Sequence, residues 1–101
     1  MNLRDLSYFI AAAEEQSFTT AARRLFLTQQ AVSAAMGRLE RDVGVALFVR
    51  RADGVVLSAA GLRLLPAARQ LVLIAAQTVS AARAAGGQEL ARRAPSEGAR
   101  T

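Results

Sequence analysis

The 101-residue sequence predicts a mostly α-helical chain with one small β-hairpin, closed by a long helix. Three observations carry that reading. Between residues 29 and 43, Val32, Ala35, Met36, Leu39 and Val43 recur at i, i+3, i+4, i+7 and i+11, the spacing of one buried helix face. Asp53-Gly54 separates two short apolar runs, the pattern of a tight hairpin. From residue 59, Leu65, Ala68, Val72, Ala75, Val79 and Ala82 alternate in steps of three and four, the seam of a coiled coil.

The elements follow in order. Asn2 can cap a first helix, with Asp5 at its third position in a near capping box. Leu3, Leu6, Phe9, Ile10 and Ala13 give that helix its apolar stripe, and it should stop near Gln16. Ser17 to Thr19 offer caps for a second helix over about 20–26. There Ala21 and Ala22 are small enough for close crossing, and Leu25 faces the core. Leu27-Thr28 is the turn. Thr28 caps a third helix that runs to Val43, and Gly44 is the natural left-handed residue to end it.

Residues 47–51 and 55–58 then read as strands. Asp53-Gly54 should form a type I′ turn, which needs positive φ at both central positions. Ser58 caps the last helix, about 59–84, which contains Pro66 and is ended by Gly86-Gly87. Leu64, Leu71 and Ile74 widen its apolar seam. A helix this apolar should pack on its own domain and on a second copy. The organisation predicted is a unit at 1–58, a dimerising helix at 59–85 and a polar, disordered tail at 86–101.

Composition narrows the chemistry. The chain has no Cys, which excludes disulfides and thiolate metal sites, and no His, the commonest general base and metal ligand. No nucleophile–base pair or phosphate loop is visible, so the sequence predicts neither an enzyme nor a bound metal or cofactor. Neither a signal peptide nor a membrane span is predicted, because Leu71 to Ala76 is the longest strongly apolar run. The default location is the cytoplasm.

The net charge is +5, and all 13 basic residues are Arg. Residues 1–58 hold seven Arg against six acids, and the excess lies further on, where six Arg face two acids. Basicity favours a polyanionic partner, but charge alone does not place that partner on the first 58 residues.

The outer stripe of the third helix does. Gln30, Ser33, Ala34, Gly37 and Arg41 lie about 200° from the apolar stripe at about 100° per residue. They are small or polar, which suits close approach to a flat polar surface such as a DNA groove. In the first turn, the amides of Gln29 and Gln30 can pair with adenine, Ala34 can touch a thymine methyl, and Ser33 can reach a base or a phosphate. The alternative is that both glutamines are ordinary solvated residues.

Thr28 is a cap on either reading, and its neighbouring amides can also meet a phosphate. Arg38 either reaches a phosphate or pairs with Asp42 at i, i+4. Arg50 and Arg51 sit on the hairpin, where strand alternation turns them to opposite faces. Glu14, Glu15, Glu40 and Asp42 read as a solvated face.

Three helices, a hairpin and a long helix describe a winged helix-turn-helix, and the residues go further. They include Asn2-Leu3-Arg4-Asp5-Leu6, Tyr8-Phe9, Ala13-Glu14-Glu15, Ser17-Phe18-Thr19, Ala21-Ala22, Leu25 and Thr28-Gln29. Ala31-Val32-Ser33, Leu39-Glu40, Gly44-Val45, Leu47-Phe48, Arg50, Leu57 and Ala60-Gly61 continue the series without a gap. Together they resemble the N-terminal DNA-binding domain of LysR-type transcriptional regulators, over about residues 1–84.

The resemblance implies a bacterial regulator that binds double-stranded DNA at interrupted, dyad-symmetric, AT-rich operators. It implies a homodimer through the linker helix, with Leu65, Ala68, Leu71, Val72, Ala75, Val79 and Ala82 at the interface. It implies tetramers in full-length members, and a small-molecule effector only where a C-terminal domain is present; this chain stops where that domain would begin. Gln30, Ala34, Gly37 and Asp53 depart from the family pattern, in which the last three positions are often basic. Those departures keep open a second reading, a protein-interaction module with weakened DNA binding.

Overall fold

The computed structural model describes the backbone of residues 1–100 and the side chains of residues 1–93. The order is α1 (Leu3–Glu15), α2 (Phe18–Leu25), α3 (Gln29–Val43), β1 (Phe48–Arg51), β2 (Gly54–Leu57) and α4 (Ala59–Arg100). The caps expected from sequence are formed. Asn2 Oδ1 accepts from the Asp5 amide at 2.7 Å, Ser17 Oγ from Thr20 at 3.1 Å, and Thr28 Oγ1 from Ala31 at 3.1 Å. Ser58 Oγ accepts from the Gly61 amide at 3.1 Å, which starts α4. Gly44, at φ 86°, ends α3 in the left-handed region.

The ends of α1 and α2 are less ordinary. Gln16 (φ 53°) and Phe26 (φ 58°) are left-handed without being glycine. After α2 the Leu27 amide donates to Ala22 C=O and the Phe26 amide to Arg23 C=O, the paired bonds of a Schellman turn. Phe26 is 95% exposed, and nothing in the structure explains an aromatic residue there.

One core joins all the elements. Leu6, Phe9, Ala12, Ala21, Val32, Ala35, Met36, Leu39, Leu47 and Ala68 are buried together. Phe48 meets Phe9 and Phe18 edge-on at 5.5 and 5.2 Å between ring centroids, which seats the hairpin on α1 and α2. The stripe of α3 is buried as expected except Val43, which is 41% exposed where the helix runs past the core. On α1, Leu3 is exposed and Asp5 is buried instead, so the inward face is turned toward a polar residue.

Two expectations are corrected. The hairpin pairs Arg51 with Gly54 and Phe48 with Leu57, so its turn is centred on Ala52 and Asp53, one residue earlier than predicted. Asp53 does not take positive φ, so this is not a type I′ turn. Gly54, at φ 152°, serves a different need. A Cβ there would collide with the Gln16 carbonyl oxygen, which accepts from the Val55 amide at 3.0 Å.

Nor does α4 end at Gly86-Gly87 as expected, with a disordered tail beyond; it runs through both glycines to Arg100. A glycine ends a helix by turning left-handed, and neither of these does so. Glu89 and Arg92, 3.5 Å apart at i, i+3, lie on the continuing helix. The last residue, Thr101, lies outside the described residues. At 1.5 Å per residue, 42 residues give α4 about 63 Å, close to the 69 Å length of the molecule.

By length and mean hydropathy α4 is apolar enough to cross a membrane, contrary to the expectation from its longest apolar run. Ala68 is nevertheless fully buried against the domain, and Leu64, Leu65 and Val72 pack on the same core. Replacing Gly54→Ala should lower unfolding stability by about 2 kcal/mol, from the lost backbone conformation and the collision with Gln16. The midpoint of chemical denaturation checks this.

Candidate nucleic-acid interface

The outer surface of α3 is open to solvent. Gln29, Gln30 and Ala34 are exposed and Ser33 is half-buried, with the Thr28 hydroxyl closing the first turn behind them. The hairpin brings two arginines beside this face. Gln29, Arg50 and Arg51 share a notch of about 230 Å³ with Ser17, Phe18 and Thr19 at the start of α2. The Arg50 guanidinium lies 5.7 Å over the Phe18 ring, a cation–π contact that restrains it near α3.

Arg38 does not make the i, i+4 pair with Asp42. It donates to the carboxylate of Asp5, Nη2 to Oδ1 at 3.2 Å and Nε to Oδ2 at 3.5 Å. Asp5 is 1% exposed, so this pair compensates a carboxylate that would otherwise be buried without its charge partner. Arg38 therefore ties α3 to α1. Asp42 accepts from the Met1 ammonium at 2.6 Å, and that contact holds its carboxyl below the usual range.

Nor is Glu40 a solvated acid. Its Oε2 accepts from the Leu47 amide at 2.6 Å and the Phe48 amide at 3.3 Å, fastening β1 to α3. Sequence periodicity missed Asp5 and Glu40 because the partners lie on other elements. Asp5 follows Arg4 and Glu40 precedes Arg41, so nothing in the local pattern marked either as tied to another element.

A second ionic cluster sets α4. Glu14 accepts from Arg69 on α4 at 2.9 Å and from Arg24 on α2 at 2.8 Å, and Arg24 reaches Glu15 at 3.0 Å. The Arg69 and Arg24 hydrogen bonds hold the Glu14 carboxyl below its ordinary 4.5. Its hydrogen bonds to Glu14 and Glu15 push the Arg24 guanidinium above its ordinary value. Ala68, expected at a seam with a second copy, is wholly buried inside the domain and cannot meet a second copy. Leu65, Val72 and Ala75 are half-buried, and Leu71, Val79 and Ala82 are exposed.

The geometry is that of a helix-turn-helix with a wing, and comparison with known proteins decides the family. The family model for the bacterial regulatory helix-turn-helix protein, lysR family, matches residues 3–62. The chain belongs to the LysR family. It is 42% identical over 89 residues to the HTH-type transcriptional regulator TfdT of Cupriavidus pinatubonensis, covering 88% of this chain and 39% of TfdT. It is 42% identical over 90 residues to ClcR of Pseudomonas putida, covering 89% of this chain and 31% of ClcR. The chain thus spans well under half the length of these relatives.

Among solved structures, it is similar to the DNA-binding domain of CbnR in complex with DNA. The TM-score is 0.81 at 40% identity, covering 85% of this LysR-family chain and 99% of that one. A BenM DNA-binding domain bound to benA site 1 DNA matches at a TM-score of 0.77 and 36% identity, covering 82% and 93%.

Because the folded pKa of Glu14 lies below its unfolded value, its ion pairs stabilise above pH 4.5 and lose that contribution as pH falls through the folded value. Thermal unfolding of Glu14→Gln should show a lower Tm than the parent at neutral pH. The difference should shrink as pH drops below 4.5 and also with added salt.

Proposed function

We propose that this chain binds double-stranded DNA sequence-specifically, as a dimer, and acts in bacterial transcription regulation. On this reading α3 enters the major groove and the hairpin lies near the minor groove. The observation that carries it is the outer face of α3: small, exposed, amide-bearing and flanked by Arg50 and Arg51. Gln29 and Gln30 read base edges, Ala34 meets a thymine methyl, and Thr28, Ser33, Arg50 and Arg51 meet backbone or groove edges. Arg38 acts mainly as the tether to Asp5. The solved DNA complexes of similar domains support the assignment.

Residues 1–58 form the DNA-binding unit and α4 the dimerising arm. Leu65, Leu71, Val72, Ala75, Val79 and Ala82 supply the homodimer surface, and the exposed Ile74 widens it. A dimer with two-fold symmetry calls for a dyad-symmetric operator, here of AT-rich character. Tetramers and a small-molecule effector belong to forms that carry a further domain. The site of action is the cytoplasm, where the chromosome lies.

Selection from random-sequence duplexes tests this directly. The parent chain should enrich an interrupted dyad, and Gln29→Ala should relax preference at one base pair per half-site by about 1–3 kcal/mol. No enrichment at low salt would overturn the proposal in favour of a protein-interaction module. A dyad identical for parent and Gln29→Ala would remove Gln29 from the reading set.

A further inference from the structure

A furrow runs between α3 and the hairpin, floored by Gly37 and Glu40. Its wider end, about 440 Å³, is bordered by Arg41, Val45 and Ala46. Its narrower end, about 130 Å³, is bordered by Ser33, Phe48 and Arg50. Arg41 does not extend into solvent away from the helix. Its Nη1 lies 3.5 Å from the point a Cβ would occupy on Gly37, so the guanidinium folds back one turn over the bare backbone.

The charges in the furrow are uneven. Among the described residues neither Arg41 nor Arg50 has a carboxylate within ion-pair distance. The one acid, Glu40, has Oε2 committed to the Leu47 and Phe48 amides. Length places the furrow relative to DNA. From Gln29 to Arg41 the helix rises about 18 Å at 1.5 Å per residue. The major groove is about 12 Å wide, so a helix whose first turn meets base edges carries its last turn over the sugar-phosphate edge.

We propose that Arg41 is a further DNA contact in this chain, seating a backbone phosphodiester in the furrow over Gly37, opposite Arg50. The proposal rests on the DNA-binding reading above and adds to it a residue on the last turn of α3. The ligand chemistry is a phosphodiester of duplex DNA, recognised by charge and without base preference. Gly37 contributes by leaving the helix surface bare where the guanidinium lies.

The test is the salt dependence of binding to a mixed-sequence DNA duplex of fixed length, titrated between about 50 and 200 mM salt. Arg41→Ala should weaken binding to every sequence alike and make the slope of log K against log salt shallower by about 0.9 per protomer, one phosphate contact each, or about 1.8 for the dimer. Arg41→Gln should do the same, and Arg83→Ala, exposed on α4, should leave the slope unchanged. A parental slope in both Arg41 variants, with folding confirmed by circular dichroism, overturns this proposal while DNA binding stands. A parent that binds no duplex even at the lowest salt overturns both.

Discussion

The structure depends on how α3 is held. Its apolar stripe packs on α1 and α2, but packing alone leaves a helix free to slide or rotate by small amounts. Two carboxylates remove that freedom. Asp5 of α1, almost fully buried, draws in Arg38 from one flank of α3. Glu40, on α3 itself, accepts two amides of the chain entering β1. An unmatched buried carboxylate or amide costs more than a typical net hydrogen bond gains, so both contacts favour a single arrangement. The hairpin is then pinned again at its far end, where Val55 donates to Gln16 and only glycine fits at position 54. Ser58 closes its base by donating its hydroxyl to Ala46 C=O at 2.7 Å.

This arrangement explains how a nearly neutral unit can present a cationic face. Of the six acids in residues 1–58, Asp5, Glu14, Glu15, Glu40 and Asp42 are all engaged by partners within the fold. Arg24, Arg38 and Arg69 are spent on those acids. Arg41, Arg50 and Arg51 are left beside the open face of α3. Net charge counts all of these equally, whereas the field at a surface depends on which of them point there. The bare positions Ala34 and Gly37 fit the same picture, since an exposed backbone lets neighbouring cations and a flat partner come close.

What the sequence made legible is what depends on near neighbours. The caps at Asn2, Ser17, Thr28 and Ser58, the end of α3 at Gly44, and the inward stripe Val32, Ala35, Met36 and Leu39 all follow from spacing within one element. The outer face of α3 was readable for the same reason. The errors share the opposite cause. Asp5 and Arg38 are 33 residues apart, so a pair at i, i+4 with Asp42 was the only partner that local spacing offered. Gly54 reads locally as a turn glycine because its approach to Gln16 is a tertiary fact. Ala68 fitted the heptad seam, yet the domain's own core claims it.

Glu40 fastens the hairpin to α3 through the Leu47 and Phe48 amides. Amide hydrogen exchange in Glu40→Ala measures this most directly. The account predicts that the Leu47 and Phe48 amides lose protection, and that Val55 follows as the hairpin loosens, while Leu6 and Phe9 in α1 keep theirs up to the global unfolding limit. Unchanged protection at Leu47 and Phe48 in a folded Glu40→Ala variant would contradict it.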